Sequence, residues 1–329
     1  MSSLLSLIVR LSWPASRIFR SVAFFSSTST LSDKYLINSR KLVKKMLREK
    51  GLPIINTMAS NFRKEDLKAL KVNFKPVKCN NQIIPKVDVK DLLPEQYILS
   101  NIHFTDLEKQ SFDVRKIDVS DDVRTFILKL HWVVKNSLRK KGTDETFTNT
   151  LVDDLLRIVG FNTFPLVIRN HQECRMFIGG YPYLTADPEY SIKMIDTTII
   201  AVEDKHLENV DRYIGYGECQ VAAEMLTCAS DNLRQINLTT NQIMKQTIYA
   251  IRVISSYVTF YKVVIPPSYF EELTEGGLPQ EQSVEILRWP EENILKAGLN
   301  IAEPEGRYEV LEILVRIRKH LVEKENQVY

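Results

Sequence analysis

An apolar stretch that ends in Glu203-Asp204-Lys205 sets an acid and a lysine two residues apart, and Asp187 stands upstream between Ala186 and Pro188. In an extended strand, alternate side chains share a face and stand about 6.5 Å apart. Glu203 and Lys205 therefore address one site, while Asp204 points to the other face and offers that site only its carbonyl. Taking a carboxylate and an ammonium out of water is costly without a polar partner such as a metal ion or a phosphate. Hydrolysis of a phosphodiester needs that combination: a metal to neutralise charge, an activated water, and a cation to meet the pentavalent transition state.

The surrounding pattern predicts the elements that would hold these residues. Ser39 to Lys50 reads as a short amphipathic helix closed by Gly51, with Leu42, Met46 and Leu47 on one side. Residues 51–110 carry prolines and lysines with little periodicity and read as loosely structured. Apolar positions 123, 126, 127, 130, 133, 134 and 138 make a helical stripe from Val123 to Lys140. Thr143 to Val159 is a second helix, with Thr143 as its cap. Extended segments follow at Phe164–Arg169, Arg175–Ile178, Tyr190–Ile195 and Thr198–Glu203, with Asp196 in the turn between the last two. Then come a helix from Tyr216 to Ala229 and two β-runs joined at Ser255-Ser256 and stopped by Pro266-Pro267. A closing helix spans Arg307 to Lys324. This order predicts an α/β protein with a central sheet flanked by helices. No Gly-rich phosphate loop and no G-x-S-x-G elbow occurs, which leaves nucleotide-hydrolase, dinucleotide-binding and serine-hydrolase readings without support.

Composition narrows the field further. The 329 residues are 44% hydrophobic and 26% charged, and no run approaches the roughly 18–20 apolar residues of a membrane span. Cys79, Cys174, Cys219 and Cys228 form no C-x-x-C pair and read as reduced structural thiols; His206, beside the Glu-x-Lys run, reads as a surface residue. Residues 34–90 hold 15 Lys and Arg against 4 Asp and Glu, a net +11, whereas residues 91–329 hold 26 against 36, a net −10. A basic arm ahead of an acidic body is either a linker or a means of engaging a phosphate backbone. Residues 1–32 carry Arg10, Arg17 and Arg20, no acid and many hydroxyl residues, the composition of a mitochondrial presequence. The expected location is the mitochondrial matrix, with a secreted or a nuclear protein as the alternatives.

Taken together, a helix bearing Glu145, Asp187 ahead of a β-hairpin, Glu203-Asp204-Lys205 ending its second strand, and a following helix with Glu218 and Gln220 resemble the PD-(D/E)XK restriction-endonuclease-like superfamily. Within it, the stretch from Asp144 to Pro267 is similar to uncharacterised fungal members, some of them associated with Crinkler effectors. The proline follows the acid instead of preceding it, a departure from the superfamily pattern. The resemblance implies a restriction-endonuclease-like mixed sheet over residues 121–329, preceded by a presequence (1–32) and a basic, loosely structured arm with a short helix (33–120). It implies Mg²⁺ (or Mn²⁺) held by Asp187, Glu203 and the carbonyl of Asp204, with nucleic acid, foremost DNA, as substrate. Lys205 would assist the attacking water. Glu145 would hold a second metal or a metal-bound water, and Gln220 would hydrogen-bond the water or the scissile phosphate. A module that kept the fold but binds nucleic acid or protein without cleaving, or a secreted effector of the same fold, are the rival expectations.

Overall fold

The computed structural model describes residues 29–138, 144–194, 197–205, 215–240, 244–294 and 296–326; for 29–32, 197, 199, 201, 203–205, 235–240 and 324–326 it describes the backbone alone. The proposed presequence up to residue 28, the Thr143 cap, the Asp196 turn and His206 lie outside the described residues. The N-terminal half contributes α1 (Ser29–Glu49), α2 (Lys64–Ala69), β1 (Val72–Pro76), α3 (Phe104–Leu107), α4 (Asp121–Ser137) and α5 (Thr146–Ile158). The middle contributes β2 (Leu166–Asn170), β3 (Cys174–Ile178), β4 (Tyr181–Ala186), β5 (Tyr190–Met194), β6 (Thr197–Lys205) and α6 (Glu218–Thr240). The remainder is β7 (Gln246–Ile254), β8 (Tyr257–Ile265), α7 (Pro267–Glu275), β9 (Val284–Trp289), β10 (Leu299–Asn300) and α8 (Pro304–Asn326).

The sheet is mixed, in the order β1-β9-β8-β7-β6-β5-β2, with β10 also paired to β8. The pairs β6–β7 and β1–β9 are parallel, while β2–β5, β5–β6, β7–β8 and β8–β9 are antiparallel. Strand alternation divides the buried side chains between two cores. Ile192, Ile200, Val202, Tyr249, Ile251 and Phe260 pack with α4, α5 and α8 on one face. Ile248, Ala250, Tyr261 and Val263 pack with α1, α2, α6 and α7 on the other, where the separate β3–β4 hairpin also lies. The expected mixed sheet flanked by helices is thus present.

The expectation of loose structure across residues 51–110 is corrected. Ile55, Phe62, Leu70 and Val72 are buried in one core and Val77, Ile83, Ile84, Val89, Ile102 and Leu107 in the other. Short 3-10 turns carry the chain between these anchors, which is why no periodicity announces them. The region is also tied down by Arg307 of α8, whose guanidinium donates to the carbonyls of Ile98, Leu99, Ile102, Ile301 and Ala302. Burial lowers the Arg307 pKa to about 10, and the five carbonyls compensate its desolvation. Two helices are longer than the sequence suggests: α1 starts ten residues ahead of Ser39, and α6 runs eleven residues past Ala229.

Candidate active site

The parallel pair β6–β7 directs two carboxyl-terminal strand ends to one edge of the sheet, with Glu203 in register with Arg252 and Lys205 with Ile254. In such α/β arrangements, ligands gather beyond the carboxyl ends of the strands. The helix that follows β6 begins at this edge and runs back along the strand. Asn232 of α6 fixes the alignment: its Oδ1 accepts the Thr198 N–H at 2.8 Å and its Nδ2 donates to the Thr198 carbonyl at 2.7 Å. From Asn232 to Gln220 the helix rises about 18 Å, which a strand covers in about five to six residues. Gln220 is therefore level with Glu203 and Asp204, and Glu218 stands slightly beyond them.

The other two elements arrive at the same edge. Tyr190 at the start of β5 pairs with Val202, and Asp187 stands three residues ahead of it, in the connection between the end of β4 and the start of β5. Asp187 is exposed, and its carboxylate has no hydrogen bond or ion pair among the described residues. Glu145 is half-buried at the N-cap of α5, one turn before Asn149. Asn149 Nδ2 donates to Glu189 Oε2 at 3.3 Å, and the Tyr190 hydroxyl donates to the Asn149 carbonyl at 2.9 Å. The start of α5 is thereby fastened to the start of β5. The side chains of Glu203, Asp204 and Lys205 lie outside the described residues, so their mutual geometry does too. Among the described residues, no group of three or more His, Cys, Asp and Glu is placed to share a metal ion. Gln220 is occupied along its own helix, donating from Nε2 to Glu224 Oε1 at 2.9 Å.

Sequence reasoning missed what lies beneath this edge. Glu218, in the first turn of α6, receives Arg288 Nη1 at 2.7 Å, and both side chains are buried. Arg252 is 0% exposed, with its guanidinium 5.6 Å from the ring centroid of Tyr261. It donates from Nη1 to the Tyr216 carbonyl at 2.6 Å and from Nη2 to Asn293 Oδ1 at 3.0 Å. Asn293 Nδ2 in turn donates to the Gly215 carbonyl at 3.1 Å. These bonds hold Gly215, Tyr216 and Gly217 at φ of +63°, +54° and +87°, a left-handed turn that glycine tolerates and tyrosine resists. The turn delivers the N-terminus of α6 to the site.

Burial raises the Glu218 pKa, opposed first by the charges of Arg288 and Arg252. Cys219, next in the chain, is held up to about 11 by burial and then by the negative charge of Glu218, so its thiol stays protonated near neutrality and is no thiolate nucleophile or soft metal ligand. Buried Glu224, 1% exposed, is an acid of this helix that no sequence pattern singled out. The one available signal was spacing: Glu218, Gln220 and Glu224 share the first two turns of α6, between the apolar positions Val221, Ala222 and Ala223.

No family model matches the chain, and no curated protein matches it.

Proposed function

We propose that this chain is a metal-dependent nuclease of restriction-endonuclease-like fold, which hydrolyses phosphodiester bonds of nucleic acid and foremost of DNA. The observation that carries this reading is convergence: the start of β5 with Asp187, the end of β6 with Glu203-Asp204-Lys205, and the starts of α5 and α6 meet at one edge of the sheet. The donor set suits a hard ion. Asp187 offers an exposed, unengaged carboxylate, Glu203 and the Asp204 carbonyl would add oxygen, and the neighbouring thiol of Cys219 is protonated. Mg²⁺ or Mn²⁺ bound there would neutralise phosphate charge and lower the pKa of a coordinated water.

The protein's own groups have separate tasks. Lys205 provides a fixed cation beside the phosphate that meets the negative charge developing in the transition state. Glu145 at the start of α5 adds a carboxylate from the opposite face. Gln220 is oriented by Glu224, so its amide is positioned before substrate arrives. Arg252 and Arg288 do not touch substrate; they brace the turn and the helix start from beneath.

The test is cleavage of single- and double-stranded DNA and RNA with Mg²⁺ or Mn²⁺, beside Glu203→Gln. Metal-dependent cleavage by the wild type alone supports the proposal. Tight nucleic-acid binding without cleavage replaces it with the inactive binding module. For location, we propose matrix import directed by residues 1–32; a fluorescent fusion of residues 1–40 that enters the secretory pathway would instead support the secreted effector.

A further inference from the structure

The candidate site is flanked by two basic elements that the proposed chemistry does not use. Helix α1 lies over β4 and runs counter to it. Arg40 donates to the Tyr183 carbonyl at 3.0 Å and Thr185 Oγ1 at 3.1 Å, and Met46, further along, lies against Gly179. The helix start therefore points toward the Asp187 end of β4. Ser39, Val43 and Leu47 are buried at four-residue spacing, which turns Lys34, Lys41, Lys45 and Arg48 outward on the opposite side. Those four span about 21 Å along the helix. Their charge is nearly uncompensated on that face: Glu49 approaches Lys45 at 3.8 Å with both side chains exposed, an ion pair of little strength.

The second element comes from the segment after α1. The Thr57 carbonyl accepts the Thr185 N–H at 3.0 Å, and Met58 bridges Thr185 in parallel, so this segment also heads toward Asp187. It passes against α6 and ends at exposed Arg63 and Lys64. Exposed Glu65 offsets one of these charges outwardly, whereas Asp66 does not. It is turned inward and buried, accepting from Asn56 N at 2.9 Å, Asn56 Nδ2 at 2.7 Å and Arg63 N at 2.8 Å. Lys64 is close enough to Cys219, at the start of α6, to act on its thiol, with Asp66 and Glu65 acting in the opposite sense.

We infer that Lys34, Lys41, Lys45 and Arg48 of α1, with Arg63 and Lys64, form a track that holds the phosphate backbone of duplex DNA and leads it to the Asp187 edge. The track deepens the nuclease reading, naming the partner of that same site. Charge complementarity selects the occupant. Duplex DNA carries one phosphate about every 3.4 Å per strand, so a 21 Å row of four cations meets roughly every second phosphate of one strand. The rest of the chain, at a net −10 over residues 91–329, repels a polyanion and so orients it onto this face.

The experiment measures binding of the full chain to a fluorescein-labelled 30-base-pair duplex in EDTA across a salt series, so that no cleavage is needed. Lys34→Glu/Lys41→Glu/Lys45→Glu, all exposed positions, should lower affinity about 100-fold and reduce the log K against log salt slope by about 3. Lys109→Glu/Arg115→Glu/Lys116→Glu changes net charge equally on the opposite face of the sheet, beside α4, and should shift affinity less than threefold. Equal losses in the two variants overturn the inference, as does a wild type that binds anionic vesicles but not the duplex. The outcome is separable from the nuclease reading. A wild type that binds through α1 and never cleaves keeps the track and removes the nuclease; a wild type that cleaves, with binding unaffected by the α1 changes, does the reverse.

Discussion

The two ends of β6 are closed in opposite ways. At its start, one neutral amide, Asn232, takes both the N–H and the carbonyl of Thr198 in a buried setting. At its far end, three ionisable groups are buried together: Arg252, Arg288 and Glu218, with Arg252 Nε lacking a partner among the described residues. The first arrangement is an economical solution to unsatisfied backbone. The second is expensive, because desolvating charges offsets most of what their attraction returns, and hydrophobic replacements of such groups are often neutral or stabilising. One helix, α6, closes both ends, with a neutral amide at the first and with Arg252 of β7 and Arg288 of β9 recruited at the second. The difference teaches that the charged end is kept for what it positions: a left-handed turn, a helix start, and the strand end that carries Glu203.

The largest effects belong at the charged end and should be catalytic. Glu203→Gln removes a ligand charge at nearly constant shape and should abolish both cleavage and divalent-metal binding, read by titration calorimetry, with circular dichroism unchanged. Lys205→Ala should retain metal binding but lose about 10²–10³-fold in kcat, the scale of one lost transition-state contact. Asp204→Ala should matter far less, since only its carbonyl is required. A structural ion pair would predict the opposite order, with Glu203 and Lys205 equivalent and mildly destabilising.

Stability should rank the ends next. Arg288→Ala strands Glu218 in a buried site without its cation and should cost about 3–5 kcal/mol in urea denaturation. Asn232→Ala leaves the Thr198 N–H and carbonyl without their buried partner and should cost about 1–3 kcal/mol, with no change in metal affinity. If Asn232→Ala impaired metal binding as strongly as Glu203→Gln, the division of labour between the ends would be wrong.

Much of this framework was legible in the chain. The stripes of α4 and α5 face the core as the 3.6-residue period implies, and Ser255-Ser256 does join β7 to β8. Other parts were not legible, for identifiable reasons. Pro266-Pro267 does stop β8 at Ile265, but nothing announced that Pro267 also opens α7, where the first turn of a helix needs no N–H. Strands β1 and β9 pair from Val72 to Val284; one is a short lysine-bearing segment ending at Pro76, and nothing local announces a partner so distant in the chain. The site divided along the same line. Asp187, Gln220 and the Glu203-Asp204-Lys205 backbone reach one edge because their elements are local neighbours. Arg252 and Arg288 were not singled out in the sequence, where nothing local marks Arg288 as part of a strand, and only the assembled sheet reveals that α6 covers them.

The smallest effect sharpens the comparison through pH. Burial is the largest influence on Glu218 and raises its pKa above the ordinary 4.5 despite Arg288 and Arg252. Below 4.5 the group is protonated in both folded and unfolded chains, so its contribution there is at its most favourable. As pH rises past 4.5 the unfolded chain gives up the proton first while the folded chain keeps it, so the contribution declines until the folded pKa is passed. Glu218→Gln does not titrate. The stability of wild type minus that of Glu218→Gln should therefore fall as pH is raised from 4.5, while the matching difference for Asn232→Ala should change less, since the amide and backbone groups joined there do not ionise. The measurement is urea denaturation of the three proteins from pH 4 to 8. A wild-type advantage over Glu218→Gln that grows with pH would mean that the Arg288 charge outweighs burial, and the far end of β6 would then be as self-sufficient as the near one.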